Sequence, residues 1–379
     1  MCLKALLGAV DLQSRTDPEI YELANNVLAE ITQNLSDGIY KQLQGSLSFG
    51  WATAPKFNAW AESDTVVGGP PQHKIILHYE LARLLYRDAE EFCSFASNEQ
   101  TKRLIQTAFA DDATDLLPEC FTLDDCIQNM FLGSLTWVYF HELGHLMQEH
   151  GRVRDDGSSA STITTIQELD AQAAQILTGR QALISHATEL AADSEATTLC
   201  LIASARHFLR GPLVDEGDGA EVFIGSVYLL ICSLACIFYR FNAGSSPNVI
   251  TPITGSHPSP IYRLELSAPH IYELTELLLK AHDFDGQRRR LVGMTKQAAD
   301  LGSFFCNYGQ GTSTEETIHL FIKGFLQRPE FKPYSKEILT VWDEIHPSIM
   351  ASRHFGVELG VLRFTSEFRN FVFSDSSMT

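Results

Sequence analysis

His141 and His145, with Glu142 between them, are the residues whose types and spacing imply chemistry most directly. They stand in Trp137-Val138-Tyr139-Phe140-His141-Glu142-Leu143-Gly144-His145-Leu146-Met147, an HExxH motif inside an apolar run. On a helix, residues four apart lie about 40° apart around the axis and one turn along it. Both imidazoles can therefore ligate one metal ion. The Glu142 carboxylate projects beside them and can reach a water on that ion. Two neutral nitrogens and a carboxylate base around one metal are the requirements of metal-assisted peptide hydrolysis.

The third ligand decides the subclass. A metzincin needs HExxHxxGxxH. Here the glycine position is Gln148 and the last histidine position is Gly151, so that pattern fails. His150 is one residue off. A stronger candidate lies in Ala187-Thr188-Glu189-Leu190-Ala191-Ala192-Asp193-Ser194-Glu195-Ala196. Its composition favours a helix, and the four-residue spacing puts Glu189 and Asp193 on one face. The alanines would let that helix approach the HExxH helix closely. Glu189 then completes a His-His-Glu zinc set. Asp193, one turn on, can accept the second ring N–H of a liganding histidine and fix its tautomer. Glu168 and Asp170 read as surface acids; Glu168 and His150 are the reserve ligands.

The elements that must position these residues are legible in outline. Thr122 to His150 reads as one helix, with Thr122 or Asp124 as N-cap, acids in its first turn and Gly151 after its end. Residues 1–44 read as helical, with Ile20, Leu23, Val27, Leu28 and Ile31 on one face. Met1 to Val10 is apolar but interrupted by Lys4, and reads as the start of a helix and not as a signal peptide. Gly45 to Pro71 is rich in turns. Lys74 to Tyr79 is the best strand, followed by a helix over Glu80 to Phe95. Asp155 to Thr165 is a polar loop or lid, and Ile166 to Ala182 looks helical. Asp215 to Gly219 is an acidic turn that lacks the carboxylates of an EF-hand. Ala243 to Pro260 is a long Gly/Ser/Pro loop. Residues 270–379 alternate helical patterns with turns, Asn307 to Gly311 being one such turn.

HELGH and, further along, ELAAD together resemble the gluzincin metallopeptidases. The pattern is that of the heat-shock membrane peptidases and CaaX prenyl proteases, whose third ligand is the Glu of an ExxAD motif. Asn58-Ala59-Trp60-Ala61 before Lys74 to Leu81 is similar to the NAFA segment and following strand of that group. Ser256-His257-Pro258-Ser259-Pro260-Ile261-Tyr262-Arg263 resembles its THPxxxxR segment. The matches cover residues 58–263. The resemblance implies a small sheet beside the active site, with the strand at Lys74 to Tyr79 offering an edge for an extended substrate. It implies His257 as oxyanion donor, with Tyr262 or Tyr79 as alternatives, and Arg263 as anchor of the loop or of the substrate. The order of parts also resembles the phage-exclusion peptidases of the Lit family, in which a host translation factor is cleaved during infection.

Bulk composition bounds the rest. The chain has 379 residues, 45% of them hydrophobic, enough for a substantial core. The net charge of −19 and the isolated Arg288-Arg289-Arg290 cluster argue against general nucleic-acid binding. Eight cysteines without CxxC pairs argue for buried thiols and a reducing cytoplasm, not a disulfide framework. Val222 to Tyr239 is uncharged over a length at the lower limit for a membrane span. A buried helix behind the site fits it as well.

These readings converge on an α+β, predominantly helical fold: a zincin-like core with a small sheet beside the HExxH helix. The expected divisions are an N-terminal helical region (1–44), a catalytic core (45–270) and a helical C-terminal region (271–379). The expected function is a cytoplasmic Zn²⁺-dependent endopeptidase acting on a specific protein or peptide. Glu142 is its base, His141, His145 and Glu189 its metal ligands, and Asp193 and Arg263 their supports. A phage-defence or toxin-like effector fits that description. The competing readings are a membrane-associated peptidase using Val222 to Tyr239, and a non-catalytic zinc-stabilised binding protein.

Overall fold

Helix α1 (Asp17–Leu35) begins where Glu19 reaches back to accept the Thr16 backbone N–H at 2.7 Å, and it buries Ile20, Ala24, Leu28 and Thr32 along one stripe. In this computed structural model the described residues are 14–109, 115–154, 164–167, 177–210, 219–241, 253–309, 331–354 and 360–374. A short π-helical turn, Ser36–Tyr40, leads from α1 into a four-stranded sheet.

The strands are β1 (Ser46–Ala52), β2 (Ala59–Ser63), β3 (Gln72–His78) and β4 (Thr164–Gln167), in the order β1-β3-β2-β4. β1 runs parallel to β3, while β2 is antiparallel to both β3 and β4. On β2 the buried residues alternate, Ala59, Ala61 and Ser63 facing inward. The sheet corrects three expectations. Gly45 to Pro71 contains two strands as well as turns. β3 is interior, so the expected substrate edge is already paired on both sides; among the described residues the outer strands are β1 and β4. Residues 166 and 167 belong to β4 and not to a helix. Short strands interrupted by glycine and tryptophan carry little periodic signal, which is why they read as turns.

Helix α2 (Tyr79–Ser97) follows β3 directly, as expected, and α3 (Glu99–Phe109) follows α2. The HExxH helix, α4 (Leu123–Met147), is capped by Thr122, whose hydroxyl accepts from the Asp125 N–H at 3.2 Å. From Trp137 to Met147 every side of α4 is buried, so it is the central helix of the fold. It ends at Gln148, earlier than expected, and α5 (His150–Arg154) starts after a break at Glu149, whose φ is +50°. Strands β2 and β3 pack on α4, as do α2, α6 (Gly179–Arg210) and α7 (Gly219–Phe241). The small sheet therefore lies beside the HExxH helix, within a predominantly helical α+β fold.

Helix α7 contains Val222 to Tyr239. It is the one helix among the described residues long and apolar enough to cross a membrane, and 94% of that apolar stretch is buried inside the fold. Cys232 and Cys236 are buried in it, and the seven described cysteines are all free thiols. α8 (Pro260–Lys280), α9 (Arg288–Gly309), α10 (Lys332–Ser352) and α11 (Ser366–Phe373) complete the chain. Asn307 to Gly309 close α9 and are not a turn. Arg288 pairs with Glu273 and Glu276, and Arg290 with Glu221. One apolar core extends from Ile20 to Leu362, so residues from all three expected regions share it.

Gly144 of α4 sits at the contact between α4 and α6. A Cβ there would lie 3.2 Å from the Ala192 backbone and 3.2 Å from the Glu195 Cβ. Glycine inside a helix costs about 1 kcal/mol relative to alanine. Here it lets α4 and α6 meet at van der Waals distance. Gly144→Val should cost about 1–3 kcal/mol by overpacking, read as a lower midpoint in chemical denaturation. An unchanged midpoint would contradict the close contact.

Candidate metal centre

Three side chains from α4 and α6 converge. His141 Nε2 and His145 Nε2 are 3.0 Å apart, as i, i+4 spacing on one helix permits. Glu189, reaching from α6, brings Oε2 to 3.2 Å from His141 Nε2 and Oε1 to 3.4 Å from His145 Nε2. All three residues are 1% exposed. Two imidazole nitrogens and a carboxylate oxygen could hold a metal ion here. The separations suit one: a tetrahedral ion with bonds of 2.0–2.1 Å spaces its ligands about 3.3 Å apart.

The ring tautomers suit it as well. His141 Nδ1 lies 2.9 Å from Asp193 Oδ1. A carboxylate only accepts, so with the ring proton on Nδ1, towards Asp193, the Nε2 lone pair faces the cluster. His145 Nδ1 meets His150 Nδ1 at 2.8 Å. With His145 as donor there, its Nε2 also carries a lone pair. Two lone pairs at 3.0 Å repel unless a cation or a proton sits between them. Burial drives the His145 pKa down to about 4 and so disfavours the proton. Burial also pushes the Glu189 carboxyl up, but His257, His145 and His141 outweigh it and hold the group well below the usual carboxylate range. His145 is thus kept as a neutral imidazole and Glu189 as an ionised carboxylate, the forms that bind metals.

Arg263 acts through Asp193. Its guanidinium is buried and donates to Asp193 through Nε at 2.8 Å and Nη2 at 2.6 Å, while it stacks over the Phe238 ring at 4.4 Å. It therefore holds the carboxylate beside His141 Nδ1. His150 is likewise not a ligand but the partner of His145. Trp137 stacks on His141 at 5.1 Å and donates its indole N–H to Thr197, fixing the ring from below.

His257 does reach the cluster, with Nε2 3.5 Å from Glu189 Oε2. Its loop is tied to the start of α6. Thr254 bridges to Thr178, the Gly255 N–H donates to the Leu177 carbonyl at 2.9 Å, and Ser185 donates to the Ser256 carbonyl at 2.9 Å. Gly255 has φ +88°, a conformation that favours glycine. Tyr262 and Tyr79 go elsewhere: the Tyr262 hydroxyl donates to Ser335, and Tyr79 stacks on Trp51. Glu168 and Asp170 lie outside the described residues.

Arg154 of α5 is a participant that sequence reasoning missed. It donates to Glu189 Oε1 at 2.5 Å and to the Thr188 hydroxyl at 2.9 Å. Its position just past the HExxH helix was the available signal, but a long flexible side chain has no diagnostic spacing. Two residues earlier on α5, Arg152 faces the other way and lines a cleft of about 770 Å³ with Arg180, Glu344 and His354.

Compared with family models, with curated proteins and with solved structures, the chain matches none.

Two outcomes follow from the buried charges. Arg263→Met leaves the Asp193 carboxylate buried without its guanidinium and should cost about 3–5 kcal/mol in unfolding free energy. Adding Asp193→Asn should recover part of it; a single-variant cost below about 1 kcal/mol would contradict the pairing. For pH, the His145 pKa is depressed in the folded state, so its contribution to stability is complete above the ordinary value of 6.5. It is lost as pH falls through about 4. Metal should accordingly stay bound at about pH 5.5 and be released nearer pH 4. Release centred on 6.5, followed by equilibrium dialysis, would contradict a buried neutral His145.

Proposed function

We propose that the protein is a zinc-dependent endopeptidase with a gluzincin-type, zincin-like core, hydrolysing a peptide bond in a specific protein substrate. The observation that carries this is the convergence of His141, His145 and Glu189, with Glu142 buried on the same turn of α4. Among the described residues this cluster comprises three ligands and not four. Three ligands suit a catalytic zinc, because structural sites are usually closed by a fourth.

Zinc bound there would polarise the scissile carbonyl and lower the pKa of the attacking water from about 15.7 towards about 7. The remaining work belongs to the chain. Glu142 accepts the water's proton and returns it to the leaving amine. Its burial keeps that exchange away from bulk solvent. His257, beside Glu189, is placed to donate to the developing oxyanion. Arg154 neutralises part of the Glu189 charge and fixes the carboxylate's orientation. Asp193 and Arg263 hold His141 in the liganding tautomer.

The net charge of −19 favours a basic substrate segment over a nucleic acid. Free thiols throughout the described residues accord with a reducing cytoplasm. A narrow-specificity effector acting in phage defence fits the Lit-like order of parts. The membrane-associated alternative loses support from α7, whose apolar surface is already covered by other helices.

Glu142→Gln should retain the metal but lower turnover by about 10²–10⁴-fold. Proteome-wide mapping of new N-termini, in cells expressing wild type against Glu142→Gln, checks this and names the substrate. Wild-type cleavage by Glu142→Gln would refute the mechanism. Glu189→Ala should lose zinc on dialysis; stoichiometric retention would move the third ligand elsewhere.

A further inference from the structure

A second histidine–carboxylate cluster lies at the far end of the break after α4. His73 of β3, Glu149 and His354 place their ligand atoms within 4.8 Å of one another. His73 Nε2 lies 3.6 Å from Glu149 Oε1, and His354 Nε2 lies 2.5 Å from the same oxygen. The two imidazole rings meet edge to face at 5.4 Å.

His73 sits between Tyr40 and Glu149. The Tyr40 hydroxyl lies 2.7 Å from His73 Nδ1 and 3.5 Å from Met147 Sδ. In the tautomer whose Nδ1–H donates to the Tyr40 oxygen, Nε2 is the ring atom available to a ligand. That Nε2 is the atom nearest the Glu149 carboxylate. His73 is 3% exposed, and its Nε2 has no hydrogen-bond partner among the described residues. A buried ring nitrogen without a hydrogen-bond partner beside a buried carboxylate is a pair of ligand atoms that a cation can satisfy.

The backbone is bent to make this meeting. Glu149 sits at φ +50°, in the left-handed region that a residue with a Cβ seldom adopts. In consequence Glu149 and His150, consecutive in the chain, serve two different clusters: His150 meets His145, and Glu149 meets His73 and His354. The His354 backbone N–H also donates to the Met147 carbonyl at 3.0 Å, which fixes this segment against the end of α4. Glu149 Oε2 is engaged by Arg152 Nε at 3.4 Å and by Ser63 at 3.5 Å, so Oε1 is the oxygen left for a ligand.

We propose that His73, Glu149 and His354 form a second divalent-cation site of the zinc class. Two imidazoles and one carboxylate suit zinc better than calcium or magnesium, which take oxygen ligands. On binding, the ion replaces the proton that His354 Nε2 shares with Glu149, and that proton passes to solvent. His354 and Arg152 line the cleft of about 770 Å³, which gives water a route to a fourth position. The ion clamps three separate parts of the chain: the sheet, the end of the HExxH helix and the segment after α10. It thereby also fixes the backbone from which His150 reaches His145.

The test is zinc stoichiometry by plasma mass spectrometry, on full-length protein stripped of metal and reloaded with Zn²⁺. Wild type should bind two equivalents, His354→Ala one, His141→Ala one, and the double variant none. The His141→Ala background isolates the second site, so a failure of the first site leaves this result readable. Co²⁺ reloading of His141→Ala should give a visible d–d band that disappears in His141→Ala/His354→Ala. Far-UV circular dichroism checks that each variant is folded. His354 is partly exposed, so its loss should leave the fold intact; should it not, the His141→Ala stoichiometry alone decides. A His141→Ala protein that binds no zinc, or a His354→Ala protein that binds as much as wild type, overturns the proposal.

Discussion

The close approach of α4 and α6 is the constraint on which the rest depends. Gly144 rests against the Ala192 backbone, one helical layer from the histidines and the carboxylates. Any larger residue would move Glu189 away from His141 and His145. It would also move Asp193 from the His141 Nδ1 it orients. The motif glycine and the alanine run are therefore one device, with the two faces of a single contact written on separate helices. Because the whole turn from Trp137 to Met147 is buried, neighbouring elements must close around that contact without adding bulk to it.

Burying so many polar groups has its own requirement. An imidazole or carboxylate removed from water must find a partner, or its charge becomes untenable. The chain meets this with relays. Phe238 carries Arg263, which holds Asp193, which orients His141. Arg154 holds Glu189 from the other side. Glu195, at the same contact, is bound by Arg353 at 2.7 Å and by Gln148 at 3.2 Å. Each relay joins α4 or α6 to a different part of the chain. The ligand geometry is thus coupled to the fold as a whole, and the C-terminal residues share in it.

Much of the centre was legible in the sequence because its parts lie at helical spacing. His141, Glu142, His145, Glu189 and Asp193 are fixed by local periodicity, and the structure brings the predicted ligands within reach of one another. The far wall was legible only through resemblance, since nothing local about His257 or Arg263 says where a loop will return. Even then the contact of Arg263 with Asp193 was not legible, because an arginine's reach does not reveal its target. Arg154, Tyr40 and His354 were invisible for the same reason. They act across long separations and carry no periodic signature. The sheet was half seen: β3 has a run of buried aliphatic residues, whereas β1 is mixed in composition and β2 and β4 are short. The break after α4 reads as a helix in sequence, because Gln148 and Glu149 are good helix formers. It is the tertiary partners of Glu149 that turn the chain there.

The central claim is that one metal ion sits among His141, His145 and Glu189. An anomalous-difference map collected at the zinc edge, from crystals of zinc-loaded protein, tests it most directly. The account requires a peak within about 2.0–2.2 Å of both Nε2 atoms and of a Glu189 oxygen. A zinc-replete crystal with no peak at that position would contradict it.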